Sequence, residues 1–195
     1  IWFLSWWTFS YMYSYAFFPL YQIRSMQMPI LWVQMTIVAL LVGLALGAPV
    51  FGIIADTYGS RCVMQFSLYA KHLSLLPYFL IPNDPRWYWL FPALLWFDGI
   101  FNAATTIAVQ HSMFTYSPAK QRTMYIAVAQ CIALGVAGCI SPTLAGIFVE
   151  YYEVSGFPVP FTDLNLNAYH AVFITSLILR LGCFPLSSSM PSTGN

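Results

Sequence analysis

Uninterrupted apolar stretches dominate the pattern of this chain. Residues 1–23, 25–55 and 123–149 contain no Asp, Glu, Lys or Arg, and each run exceeds the ~20 residues that an α-helix needs to cross a bilayer. Strands of a membrane β-barrel would instead alternate apolar and polar positions over about ten residues. Because a helix satisfies its own backbone hydrogen bonds in lipid, the pattern predicts spanning α-helices.

Polar and helix-breaking residues divide the chain into six predicted spanning helices. These cover residues 1–22, 30–54, 63–82, 87–114, 123–149 and 168–186. The predicted fold class is all-α, a multi-pass transmembrane helical bundle over residues 1–186 with a short polar cytoplasmic tail at 187–195. We also expect a piece of a longer protein, because Ile1 already lies inside an apolar segment.

Composition excludes a soluble domain. The chain is 59% hydrophobic and 7% charged, whereas soluble domains carry roughly a quarter charged residues. A net charge of +1 provides no general field for nucleic acid, so we expect no nucleic-acid partner. The cysteines lack CxxC spacing, and nothing resembles a P-loop or a nucleophile paired with a base. We therefore expect no enzyme activity, no metal site and no cofactor.

The charges between the helices predict an orientation. Basic residues in short loops remain on the cytoplasmic side, and Arg61, Lys120 and Arg122 follow the second and fourth helices. Only Arg24 and Arg86 would then lie outside, together with the acidic residues Asp84, Glu150, Glu153 and Asp163. We expect an integral membrane protein of the plasma (inner) membrane with both termini in the cytoplasm.

The loop between the second and third helices carries the pattern G-x3-D-x2-G-x-R. Its members are Gly52, Asp56, Gly59 and Arg61. Gly52 would let two helices approach closely, Asp56 would cap or pair at a helix end, and Gly59 would permit a tight turn. Arg61 would supply a charge at the inner surface. With this loop the sequence resembles the major facilitator superfamily of secondary transporters.

The form of the loop also indicates which part of such a transporter is present. Thr57 and Ser60 stand where the fuller family signature carries basic residues, and this weakened form is more typical of the second half. Pro118 and Arg122, before the fifth helix, resemble the family as well. The resemblance implies a carboxyl-terminal half built of two inverted three-helix repeats. Its partner would be the missing amino-terminal half, with the substrate path between the halves.

A polar stripe on the fourth helix is the clearest candidate for a functional site. Asp98, Asn102, Thr105, Thr106 and Gln110 follow one another at steps of one to four residues, so they lie along one face. We expect such a polar face to contact water or substrate and not lipid. Asp98 lies ~16 Å below the outer surface, close to the centre of the bilayer. We expect the stripe to form part of a substrate or proton pathway.

Lys71 on the third helix lies at nearly the same depth as Asp98. A buried ammonium and a buried carboxylate are costly unless they are paired or hydrated. The sequence therefore predicts a Lys71–Asp98 ion pair, and it leaves open whether the pair is purely structural or breaks while Asp98 carries a proton.

Aromatic and hydroxyl side chains recur along the first helix. Ser10, Tyr13 and Ser14 would belong to a pocket for an amphipathic small molecule, while plain helix packing is the alternative. Arg180 on the sixth helix is expected only to extend toward the inner surface as an anchor.

Small residues predict close helix packing on two helices. Gly43 and Gly47 lie four residues apart on the second helix. The same spacing separates Cys131, Gly135 and Cys139 on the fifth, and small residues at this spacing let helices pack closely.

Together these features predict transport. We expect secondary transport of a small molecule by alternating access, as symport or antiport if it is proton-coupled, or else facilitative. A non-transporting membrane scaffold or receptor would not need the polar stripe. A membrane-embedded redox enzyme would need paired intramembrane histidines, which the sequence lacks.

Overall fold

The structure, a computed structural model, describes residues 2–73, 75, 77–81, 84–155 and 168–183. All regular structure within these ranges is helical. We label the helices α1 to α6 after the six predicted spans. The uninterrupted ones are α2 (Ile30–Tyr58), α3 (Ser60–Leu73), α4 (Leu90–Tyr116) and α6 (Ala168–Leu181). A short helix, Pro77–Leu80, follows α3, and single 3-10 turns cover Pro85–Trp87 and Ala119–Gln121.

The first and fifth helices are composite. The α-helical part of α1, Trp2–Tyr15, is followed by Phe17–Leu20 and by a π-helical turn, Tyr21–Ser25. Along α5, Arg122–Gln130 leads through a π-helical segment, Cys131–Ala137, into Gly138–Ser155. The π-helical segment ends shortly before Pro142, which lies inside Gly138–Ser155.

Three of the six predicted spans have the length and hydropathy of membrane helices within the described residues. They are Ile30–Tyr58, Pro85–Tyr116 and Ala119–Tyr152. The described parts of the other three are shorter, because α1 is interrupted and α3 and α6 each extend over 14 residues. Within the part of the chain that the structure describes, these findings confirm the predicted all-α class, with helices long and apolar enough to span a membrane. The predicted tail and most of the loop after Glu150 lie outside the described residues.

The chain divides into two compact units. One, the terminal unit, is formed from Ile1–Gln27 and Ala129–Cys183, and so contains α1, most of α5 and α6. The other, the central unit, is formed around Met28–Val128 and contains α2, α3 and α4. Each unit therefore has three of the predicted spans, and they are not consecutive in the terminal unit.

Glycine brings α2 and α4 of the central unit into backbone contact. A methyl group at Gly43 would overlap the carbonyl oxygen of Trp96, and one at Gly47 would lie 2.9 Å from that of Ile100. From the opposite helix, a methyl group at Gly99 would overlap the carbonyl oxygen of Leu40. The predicted close packing at Gly43 and Gly47 is confirmed.

Gly52 does not take part in this contact. Among the described residues, nothing lies within 4 Å of the position that a Cβ would occupy there. The expectation that Gly52 allows two helices to approach closely is therefore wrong. The physical reason is helical phase: the buried face of α2 continues through Phe51 and Ala55, and Gly52 lies one position off that face.

In the terminal unit α1 packs against α5 and α6. The residues of α5 that face inward are not the predicted ones, since Cys131 and Cys139 are exposed. Small residues of a different phase are buried instead, namely Ala129, Ala133, Ser141 and Ala145. The buried residues are spaced by four or eight residues, and the predicted ones have the same spacing two residues further along, so spacing alone does not decide which set of small residues is buried.

Candidate functional site

A buried ion pair joins α3 and α4 in the central unit. The Nζ of Lys71 donates to Oδ2 of Asp98 across 3.3 Å. Lys71 is completely buried and Asp98 is 8% exposed. The predicted pairing is confirmed. Each charge needs the other, because a single buried charge without compensation is strongly destabilising.

The residues next to Lys71 on α3 are bonded to their own helix. Ser67 donates to the carbonyl oxygen of Met64, and Nδ1 of His72 lies 2.6 Å from the carbonyl oxygen of Leu68. These contacts are those of ordinary polar residues in a helix.

The remainder of the α4 stripe runs from the packed face to the exposed face. Thr105 is buried and donates to the carbonyl oxygen of Phe101, whereas Thr106 is exposed and donates to that of Asn102. Asn102 is half-buried and Gln110 is exposed. The stripe thus follows the edge of the central unit, with its only charge at the buried end.

The first-helix candidates lie in the terminal unit, and two of them, Ser10 and Ser14, contact α6. Ser10, Tyr13 and Ser14 are all buried. The Ser14 hydroxyl accepts a hydrogen bond from Nη2 of Arg180 at 3.1 Å, and its oxygen lies 3.0 Å from Oγ of Ser176. Oγ of Ser176 donates a hydrogen bond to the carbonyl oxygen of Ser10 at 2.8 Å. These hydroxyls form a polar contact between two helices.

Arg180 contradicts the expectation of a simple anchor. Its side chain is 1% exposed, and its guanidinium points at α1, where it meets Ser14 and lies 5.6 Å from the ring centroid of Tyr11. The hydrogen bond to Ser14 offsets the cost of burying the charge. A side chain that extended to the membrane surface would not need such a bond. The sequence carried one signal, a serine four residues before the basic residue on both α3 and α6.

The signature loop forms the turn between α2 and α3. Gly59 ends α2 with φ of 85°, a conformation that favours glycine, so the predicted turn is confirmed. Asp56 is exposed and Arg61 is half-buried. Ser60, at the start of α3, accepts a hydrogen bond from Ser112 of α4, with the two oxygens 3.4 Å apart.

The chain is similar to two transporters of known name, while no family model matches it. It is 27% identical over 159 residues to the proline/betaine transporter of Salmonella typhimurium, which covers 82% of this chain and 29% of that protein. It is 25% identical over 166 residues to the glycine betaine/proline/ectoine/pipecolic acid transporter OusA of Dickeya dadantii, covering 82% of this chain and 31% of that protein. The chain therefore spans less than a third of the length of either relative.

Proposed function

We propose that this chain forms the carboxyl-terminal six-helix half of a major facilitator transporter. Its signature loop and its relatives indicate that family. In this proposal residues 1–186 are the membrane domain, residues 187–195 are a cytoplasmic tail, and both termini face the cytoplasm of a cell whose plasma membrane holds the protein. The other half of the substrate path comes from an amino-terminal half. Transport proceeds by alternating access.

The contacts within the two units support the inverted-repeat arrangement. In the central unit α4 packs against both α2 and α3, and in the terminal unit α1 packs against both α5 and α6. Exchanging the first helix with the fourth, the second with the fifth and the third with the sixth converts one set of contacts into the other. Two repeats of three helices are expected to produce this correspondence.

The Lys71–Asp98 pair is the observation that carries the mechanism. Among the acidic side chains whose burial the structure describes, Asp98 is the one that is buried, and an intramembrane ionisable group is a functional candidate by default. We infer that Asp98 carries the coupling proton. Protonation removes its negative charge and therefore its attraction for Lys71. The lysine is then a buried cation without compensation, which favours a conformation in which water reaches it.

The substrate class follows from the compounds that the relatives are named for. Proline, glycine betaine, ectoine and pipecolic acid all combine a carboxylate with a cationic nitrogen-containing group. We propose a small zwitterion of this kind as the substrate. The less buried part of the stripe, with half-buried Asn102 and exposed Thr106 and Gln110, supplies neutral hydrogen-bonding groups along the path.

The test compares Asp98→Asn with the double variant Asp98→Asn, Lys71→Met in the full-length transporter that contains this chain. If Asp98 carries the proton, both variants lose uphill accumulation of proline or betaine driven by a proton gradient. The double variant keeps downhill exchange, because no unpaired charge remains. Full uphill accumulation of substrate by the double variant would show that the ion pair is purely structural and that Asp98 does not couple transport to protons.

Asn102→Ala is a matched control on the same face of α4, one turn further along. It should leave the dependence on the proton gradient intact even if it lowers the affinity for substrate. A wild-type protein in vesicles that neither accumulates nor exchanges any of the four zwitterions would contradict the substrate class. It would instead favour the scaffold or receptor alternative.

A further inference from the structure

The backbone contacts between α2 and α4 flank Asp98 along the chain. A methyl group at Gly43 would overlap the carbonyl oxygen of Trp96, two residues before Asp98. One at Gly99, the residue after Asp98, would overlap the carbonyl oxygen of Leu40. The contact is reciprocal, because each helix supplies a carbonyl oxygen and, three residues later, a glycine. The two helices therefore touch through their backbones at the level of Asp98.

The ion pair uses a different face of α4. Successive residues of an α-helix lie ~100° apart around its axis, so Asp98 and Gly99 belong to different faces. Asp98 is 8% exposed and accepts a hydrogen bond from Nζ of Lys71 on α3 at 3.3 Å. Backbone atoms thus fix α4 against α2 on one face, while another face presents the carboxylate to α3.

A backbone contact determines the position of a helix more closely than side-chain packing does. A side chain can change rotamer when a helix moves, whereas a carbonyl oxygen and a glycine Cα have no such freedom. The Lys71–Asp98 distance leaves little margin, because a displacement of α4 by ~1 Å away from α3 would extend 3.3 Å beyond hydrogen-bonding distance. The α2 contact therefore bears directly on the geometry of the ion pair.

We propose that Gly43 and Gly99 are positioning residues for proton coupling, because their contact holds the Asp98 carboxylate at its distance from Lys71. A nearby opposite charge favours the ionised form of a carboxyl group, and this effect depends on distance. The place of α4 against α2 thus sets the pH at which Asp98 binds a proton. This inference rests on the proposed function, in which Asp98 carries the coupling proton.

The first experiment measures the pH dependence of proline uptake by Gly43→Ala in the full-length transporter. Gly43 is the better of the two glycines for this test, because it lies on neither of the helices that carry the charges. We expect the pH midpoint of uptake to shift by about half a unit or more from that of the wild type. An unchanged midpoint would overturn the proposal, since a contact that serves stability alone changes the amount of folded protein and not its pH dependence.

Two further variants complete this experiment. Gly146→Ala of α5 is the matched control, because nothing described lies within 4 Å of its Cβ position, and its midpoint should equal that of the wild type. Gly47→Ala covers the case in which Gly43→Ala does not fold. Its methyl group would lie 2.9 Å from the carbonyl oxygen of Ile100, so we expect a smaller shift. A wild-type midpoint in Gly47→Ala, if it alone is recovered in the membrane, would equally overturn the proposal.

A stability measurement separates this inference from the transport mechanism. Thermal unfolding of the purified full-length protein in detergent is compared for Gly43→Ala, Lys71→Met and the double variant. We expect the Tm loss of the double variant to be smaller than the sum of the two single losses, because Gly43→Ala has already weakened the ion pair. Additive losses would refute the positioning role, whether or not the protein transports. Wild-type uptake that does not depend on the proton gradient would contradict the proposed function instead.

Discussion

The central and terminal units hold three helices together by different means. In the central unit, Gly43 and Gly99 let the backbones of α2 and α4 touch. In the terminal unit, the helices contact through hydroxyl groups such as those of Ser14 and Ser176, and the backbone of both α1 and α5 includes a π-helical segment. Glycine contacts resist any change of spacing, whereas π-helical segments are places where a helix can bend. The comparison suggests a stiff unit that contains the ion pair and a more deformable unit that contains Arg180.

Breaking the Lys71–Asp98 ion pair of the central unit should have the largest effect on the stability of the protein. Lys71→Met leaves Asp98 as a buried carboxylate without its partner, which costs about 3–5 kcal/mol of stability. Adding Asp98→Asn removes the remaining charge and should recover most of the loss. The measurement is unfolding of the purified protein in detergent. If the double variant is no more stable than Lys71→Met, the two residues do not stabilise each other as the 3.3 Å contact implies.

A methyl group in the glycine contact should have the next largest effect. Gly43→Ala forces α2 away from the carbonyl oxygen of Trp96, and we expect a loss of about 1–3 kcal/mol. Gly146→Ala in the terminal unit is the matched control, because nothing described lies within 4 Å of its Cβ position. Similar stability of the two variants would show that the central unit is not held by backbone contact.

Ser67 of α3 and Ser176 of α6 allow a finer comparison between the units, because each lies four residues before the buried basic residue of its helix. Ser176 donates from α6 to the carbonyl oxygen of Ser10 on α1, whereas Ser67 donates to the carbonyl oxygen of Met64 on its own helix. Ser176→Ala should therefore cost about 1 kcal/mol, and Ser67→Ala clearly less. Equal losses, measured by thermal unfolding under the same conditions, would mean that hydroxyl contacts between helices do not distinguish the terminal unit.

The signature loop should show the smallest effect on stability. Asp56 is exposed at the end of α2, so Asp56→Asn should change the free energy of unfolding by less than about 0.5 kcal/mol. If the loop stabilises one state of the transport cycle, kcat for uptake should fall while the binding affinity for substrate stays the same. Thr57→Ala, one residue along, is the control, and a normal kcat in Asp56→Asn would exclude this role for the carboxylate.

The sequence by itself determined the membrane-spanning class, the helical fold and the Lys71–Asp98 pair. Long uncharged runs permit few other structures in lipid. Two opposite charges at the same depth on adjacent helices have a strong energetic reason to meet. The turn at Gly59 was equally predictable, because few residues adopt its backbone conformation readily.

Only the tertiary structure decided which face of α5 is buried, that Gly52 makes no helix contact, and that Arg180 points into the terminal unit. The face of α5 could not be predicted from spacing, because two sets of small residues, two positions apart, share the same period along the helix. The direction of a long side chain depends on whether a neighbouring helix offers it a polar group, and Ser14 does so from far away in the sequence. Periodicity and depth are local properties of a chain, whereas these contacts exist only once α1 and α6 have packed together.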